Sequence, residues 1–180
     1  MKNDKRHTVF RSLRVLTQAA MLTAMSVVIG IFCKSFLNFG NGLFRITFEN
    51  LPIILSGLLF GPVIGGIVGV ATDLISYLLS PQLYPPNLIV TAGAFSVGLL
   101  SGLLPMLVIR KKGYAQIILS GAVAHAVGSM IIKPIGLYTF YGIAVLARIP
   151  LYLVIAPIEI LIICQLLKRK SIQRLTGYEF

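Results

Sequence analysis

Seven charged residues lie in or beside long apolar runs: the acids Glu49, Asp73 and Glu159, and the cations Lys34, Arg45, Lys133 and Arg148. Ionisable groups in such surroundings are costly unless they pair, line a polar cavity or meet a ligand. Lys34 has a stem long enough to snorkel to a surface. Arg45, Lys133 and Arg148 are harder to dismiss together, and a cavity lined by several cations suits an anionic ligand. Glu49 follows Arg45 by four residues, so the two either form a simple intramolecular pair or serve the ligand. Asp73 continues a face marked by Gly61, Gly65 and Gly69, because four steps of about 100° return to nearly the same side. Small residues at that spacing let helices approach closely, and the Asp73 carboxylate either bonds a neighbouring helix or contacts the ligand. Glu159 lies deep in the last apolar run, with no partner legible.

Aromatic residues are distributed unevenly. Phe36, Phe39, Phe44, Phe48, Tyr77, Tyr84, Tyr138, Phe140, Tyr141 and Tyr152 fall towards one end of the expected helices, and few, such as Tyr114, towards the other. An interfacial belt occupies both membrane faces. The asymmetry therefore favours an aromatic-lined pocket able to stack a flat heterocycle. In Tyr84-Pro85-Pro86-Asn87 two prolines stiffen a loop that presents a ring and an amide. Catalytic signatures are missing: the sequence holds no Walker A loop, no HExxH and no GxGxxG. His7 is near the N-terminus, and His125 stands alone in an apolar stretch, as a packed hydrogen-bonding residue would. Cys33 and Cys164 make neither a disulfide framework nor a metal set. The chain is expected to be no enzyme and to carry no cofactor, so any ATP-driven work falls to another chain.

The elements that must position these residues are membrane helices. Among 180 residues, 57% are hydrophobic and 12% charged, against about 25% charged in soluble chains. A spanning helix needs about 20 apolar residues. Val15–Leu37, Val63–Leu79, Leu88–Ile109, Tyr114–Tyr138 and Leu146–Leu167 meet that need, while Thr47–Phe60 forms a shorter second span. Asn38–Gly42, Gly61-Pro62, Pro81–Asn87 and Arg110–Gly113 break them. With six crossings and a cytoplasmic N-terminus, 12 of the 16 Lys and Arg residues fall inside, and Lys34, Arg45, Lys133 and Arg148 fall near the outer ends. The positive-inside rule thus places both termini in the cytoplasm. It also explains the net charge of +11 without nucleic acid. The expected architecture is an all-α integral membrane protein with one six-helix domain over residues 1–180. Residues 1–14 form a basic cytoplasmic N-terminus, and 168–180 a cytoplasmic C-terminus.

Six helices in this length, the basic ends, the pair Ala20-x-x-x-Ala24 and the stretch Arg45-Ile-Thr-Phe-Glu-Asn-Leu-Pro-Ile-Ile-Leu55 resemble the S components of energy-coupling factor (ECF) vitamin transporters. The segment RITFENLPIILSGLLFGPVIGGIVGVATD, followed by YPPN, looks most like the folate-specific branch. The resemblance implies a substrate-binding subunit in a prokaryotic plasma membrane, with an outward-facing vitamin cavity capped by the loops after the first and third helices. It implies that Ala20 and Ala24 face a transmembrane T subunit carrying two ABC-type ATPases, which use ATP and Mg, and that the subunit topples to deliver its ligand. Folate or a reduced folate fits the residues chemically. Glu49 or Asp73, with Asn50 or Asn87, would read the pterin. Arg45, Lys133 or Arg148 would hold the dicarboxylate tail, and Phe44, Tyr84 and Tyr152 would stack. Alternatives are an S component for pantothenate, riboflavin or thiamine, and a stand-alone secondary transporter, although inverted repeats and paired broken helices are not evident.

Overall fold

Almost every element is an apolar helix, and the breaks between helices fall where glycine and proline interrupt the apolar runs. A computed structural model describes residues 13–39, 44–79, 86–107, 113–170 and 172–173. Helix α1 covers Leu13–Phe36, α2 Asn50–Phe60, α3 Pro62–Leu79, α4 Leu88–Leu107 and α5 Tyr114–Ala124. A π-helical segment, His125–Ile132, joins α5 to α6 (Lys133–Tyr141), and a 3-10 turn, Gly142–Ala147, leads into α7 (Arg148–Lys168). Among the described residues, four helical stretches are long and apolar enough to cross a membrane: Leu13–Phe36, Pro62–Leu79, Leu88–Leu107 and Tyr114–Lys168, the last running from α5 to α7. The last has 55 residues, more than twice what one crossing needs.

Three sequence expectations change. The segment after α1 is more than a turn, because β1 (Asn38–Phe39) pairs antiparallel with β2 (Phe44–Arg45), setting Asn38 opposite Arg45. Helix α2 starts at Asn50 rather than Thr47. Thr47 Oγ1 accepts the Glu49 N–H at 3.3 Å, a local side-chain turn that competes with helix. At 11 residues, α2 is about 16 Å long, roughly half the hydrocarbon thickness. The fifth helix is not uniform: it widens into a π segment at His125 and stops at Gly142, whose φ of +57° suits glycine.

The glycine stripe also divides. Gly61, at φ +91°, makes the turn between α2 and α3, and Pro62 opens α3, where its missing N–H costs nothing. Gly65 and Gly69 do the packing. A Cβ on Gly65 would strike the Gly98 carbonyl and Gly57, and one on Gly69 the Ala94 carbonyl. Helices α2, α3 and α4 therefore touch backbone to backbone, while Ile53, Ile54, Val97, Ile117, Ile163 and Leu167 fill the core. Leu16, Met21, Phe32, Phe36, Leu78, Leu153 and Leu161 point outward, a surface suited to lipid.

Candidate ligand-binding site

The site is built around the start of α2. Glu49 immediately precedes the helix, and its backbone is pinned on both sides: its N–H donates to Thr47 Oγ1 and its carbonyl accepts the Ser26 hydroxyl of α1. Gly30 of α1 leaves room for the Glu49 carboxylate, since a Cβ there would crowd Glu49 Oε2. The side chain is thus turned away from its own helix. Arg45 Nη2 lies 3.1 Å from Oε2 and Lys133 Nζ 3.3 Å from Oε1. The expected Arg45–Glu49 pair exists, with a third member contributed from α6. Burial alone would raise the pKa of Glu49, a loop residue outside the spanning helices. The Arg45 guanidinium, then the Lys133 and Lys34 ammonium groups, outweigh it and hold the carboxyl down at about 2.

These groups line a cavity together with Lys34, Thr47, Asp73, Ser76, Tyr77, Asn87, Thr91, Ser129, Arg148 and Tyr152. Seven of the ten ligand candidates reach it: Arg45, Glu49, Asp73, Asn87, Lys133, Arg148 and Tyr152. Asn50 stands behind the wall, fully buried, where Oδ1 accepts Lys133 Nζ at 3.2 Å and Nδ2 donates to Ser129 Oγ at 3.2 Å. The Phe44 side chain and Tyr84 lie outside the described residues. The Asp73 carboxylate accepts the Thr91 hydroxyl at 2.7 Å, the interhelical bond that was one of its two expected roles, and it lines the cavity as well. The Asn87 amide is engaged at both ends. Oδ1 accepts the Ile89 N–H at 2.8 Å, capping α4, and Nδ2 donates to the Gly136 carbonyl at 2.6 Å. Lys34 does not snorkel: Nζ donates to the Ser76 carbonyl at 3.4 Å on the cavity side. Arg148 is held over the Tyr141 ring at 5.1 Å.

Among the described residues, only part of the aromatic cluster meets the cavity. Tyr77 and Tyr152 line it, whereas Phe36, Tyr138 and Phe140 face outward. Ser129 and Thr91 were not among the candidates for ligand contact, and Tyr77 was expected only as a member of the aromatic cluster. Each lies four residues from one that was a candidate (Lys133, Asn87 and Asp73), so helical spacing was the available signal. The free volume is about 50 Å³, against roughly 300 Å³ or more for small-molecule sites. At the other end of α1, Ala20 and Ala24 are exposed. Ala20 lines an apolar groove of about 210 Å³ between α1 and α3, with Leu16, Ile64 and Ile67.

A model of the ECF transporter substrate-specific component matches residues 14–176. The chain belongs to this family. It is also 32% identical to the folate transporter FolT of Clostridium novyi (strain NT) over 59 residues, a match spanning 33% of this chain and 34% of that one. A crystal structure of FolT bound with folic acid superposes with a TM-score of 0.67 over 94% of this chain and 96% of that one, at 22% identity. At that identity the likeness is one of fold. As an S component, the chain carries its polar cavity at the end of the bundle where the β1–β2 ladder and the start of α2 meet α6 and α7.

Proposed function

We propose that this chain is the folate-binding S component of an ATP-dependent ECF transporter in a prokaryotic plasma membrane. The observation that carries it is the cavity itself, in which Arg45, Lys133 and Arg148 converge with Glu49, Asp73, Tyr77 and Tyr152. A folate offers a flat pterin for the rings, a donor edge for a carboxylate and a dicarboxylate tail for the cations. Asp73 or Glu49 accepts from the pterin edge, with Asn50 or Asn87 supporting it. Arg45, Lys133 or Arg148 holds the tail, and Tyr152 stacks with Phe44 and Tyr84. The relatives named as folate transporters support the choice of vitamin.

The chain makes six crossings as one domain over residues 1–180, with both termini cytoplasmic and the cavity facing out. Supporting this are the basic ends, the four membrane-length stretches and the turn at Gly142 that divides the last of them in two, with the short apolar α2 making the sixth crossing through only part of the hydrocarbon. The exposed Ala20 and Ala24 dock a T subunit that carries two ABC-type ATPases. ATP and Mg are used there, and this chain catalyses nothing.

Isothermal titration of the purified chain in detergent with folic acid, 5-formyltetrahydrofolate, riboflavin, thiamine and pantothenate tests the proposal. Tight binding confined to the folates supports it. Binding of another vitamin keeps the family and overturns the substrate. No binding across the panel by folded protein favours a stand-alone transporter.

A further inference from the structure

Outside the cavity lies a buried pair of titratable residues that ligand binding does not use directly. His125 and Glu159 are both fully buried, and His125 Nε2 lies 2.7 Å from Glu159 Oε2. The other oxygen, Oε1, accepts the backbone N–H of Leu51 at 3.1 Å. Leu51 is in the first turn of α2, where amide N–H groups have no partner within the helix. Such groups are ordinarily satisfied by the side chain of the residue just before the helix. That residue is Glu49, which makes no side-chain cap because its carboxylate is committed to Arg45 and Lys133. The Leu51 N–H is shared instead between the Phe48 carbonyl, at 3.2 Å in the preceding turn, and this oxygen from α7, 108 residues further along the chain, which brings a carboxylate to the positive end of the helix dipole.

One face of the helix running from α5 into α6 completes the arrangement. His125, Ser129 and Lys133 follow one another at four-residue steps, and each acts on the start of α2. Lys133 bonds Glu49 and Asn50, Ser129 bonds Asn50, and His125 faces the carboxylate that holds Leu51. The π segment lies along this line, a local widening of the kind often found at functional sites.

We propose that Glu159, packed against His125, is a positioning residue for the ligand site: together with the Phe48 carbonyl it caps α2, from α7, and thereby leaves the Glu49 side chain to the cavity and sets Asn50 against Lys133. The inference rests on reading the polar cavity as the ligand site. Glutamine at position 159 keeps an acceptor for Leu51 and a group for His125. Methionine at both 159 and 125 removes the carboxylate and its packing partner together, leaving no orphaned charge.

Hydrogen exchange of the full chain in detergent, with thermal unfolding alongside, is the test. In the Glu159→Met, His125→Met double variant, amides at the start of α2 are expected to exchange at least about tenfold faster, with α4 and α7 exchanging as in the wild type. Glu159→Gln should stay within about twofold of wild type throughout. Folic acid affinity should fall about tenfold or more in the double variant and hold in the glutamine variant. Wild-type exchange at α2 in the double variant overturns the proposal, as does equal affinity in all three proteins. Faster exchange spread evenly over the chain, with a lowered melting temperature, also overturns it, because the pair would then serve general stability. If the wild type binds no folic acid, the folate assignment fails and the exchange result alone decides the capping role.

Discussion

Asn50 and Lys133 are 83 residues apart in the chain, yet their Oδ1 and Nζ atoms lie 3.2 Å apart. Asn50 is fully buried and bonds on its other side to Ser129, so it holds the Lys133 ammonium from behind while Glu49 holds it from the front. Lys133 is thereby kept as a fixed cation at the cavity wall, with little rotamer freedom left to lose when an anion arrives.

Lys133→Met removes that cation and leaves Glu49 with Arg45 alone. Loss of a charged hydrogen bond at a buried site is worth about 2 kcal/mol, so folic acid affinity should fall roughly thirtyfold in titration calorimetry. Unchanged affinity would take Lys133 out of the ligand shell.

Arg45→Ala and Arg148→Ala test the hold on the dicarboxylate tail. Each should weaken folic acid about tenfold or more, and a pterin lacking the glutamate should lose almost nothing. Unchanged affinity for folic acid in both variants would overturn the tail clamp.

Acid should act on the fold through Glu49. Its carboxyl titrates at about 2 in the folded chain, against an ordinary value of 4.5. A lowered folded-state pKa stabilises the fold above the ordinary value, and that contribution is lost as pH falls from about 4.5 towards 2. Thermal unfolding between pH 7 and pH 3 should show a decline in the wild type that is shallower in Glu49→Gln. Identical slopes would remove Glu49 as the source.

Gly98→Ala tests the backbone contact between α3 and α4. The added Cβ would strike the Gly65 carbonyl, and overpacking of this kind costs about 1–3 kcal/mol. A lowered melting temperature in detergent is expected, whereas an unchanged one would mean that the helices separate at no cost.

Ala20→Trp and Ala24→Trp project bulk from an exposed face of α1. Folic acid binding by the isolated chain should be unaltered, and co-purification with co-expressed T subunit and ATPases should be lost. Intact assembly in both variants would move the docking face elsewhere.

Composition, breaks and charge distribution were enough to indicate a helical membrane chain and to single out Arg45, Glu49, Asp73, Lys133, Arg148 and Tyr152 before any contact was known. The Arg45–Glu49 pair was legible because four-residue spacing is a local matter, and the close packing at Gly65 and Gly69 was legible for the same reason. The partners of Glu159 were not. They come from the start of α2 and from His125, and which residues meet depends on how each helix is rotated against its neighbours. In a soluble helix the apolar stripe reveals that rotation, but these helices are apolar on both their lipid-facing and buried sides, so the pattern carries little of it. The π segment was hidden too, since an apolar run looks the same whether the helix turns tightly or widens. The sequence by itself thus determined the membrane class, the breaks and the charged residues that had to be accommodated. Only the tertiary structure decided which of them share a cavity and which, like Glu159, hold the helix that shapes it.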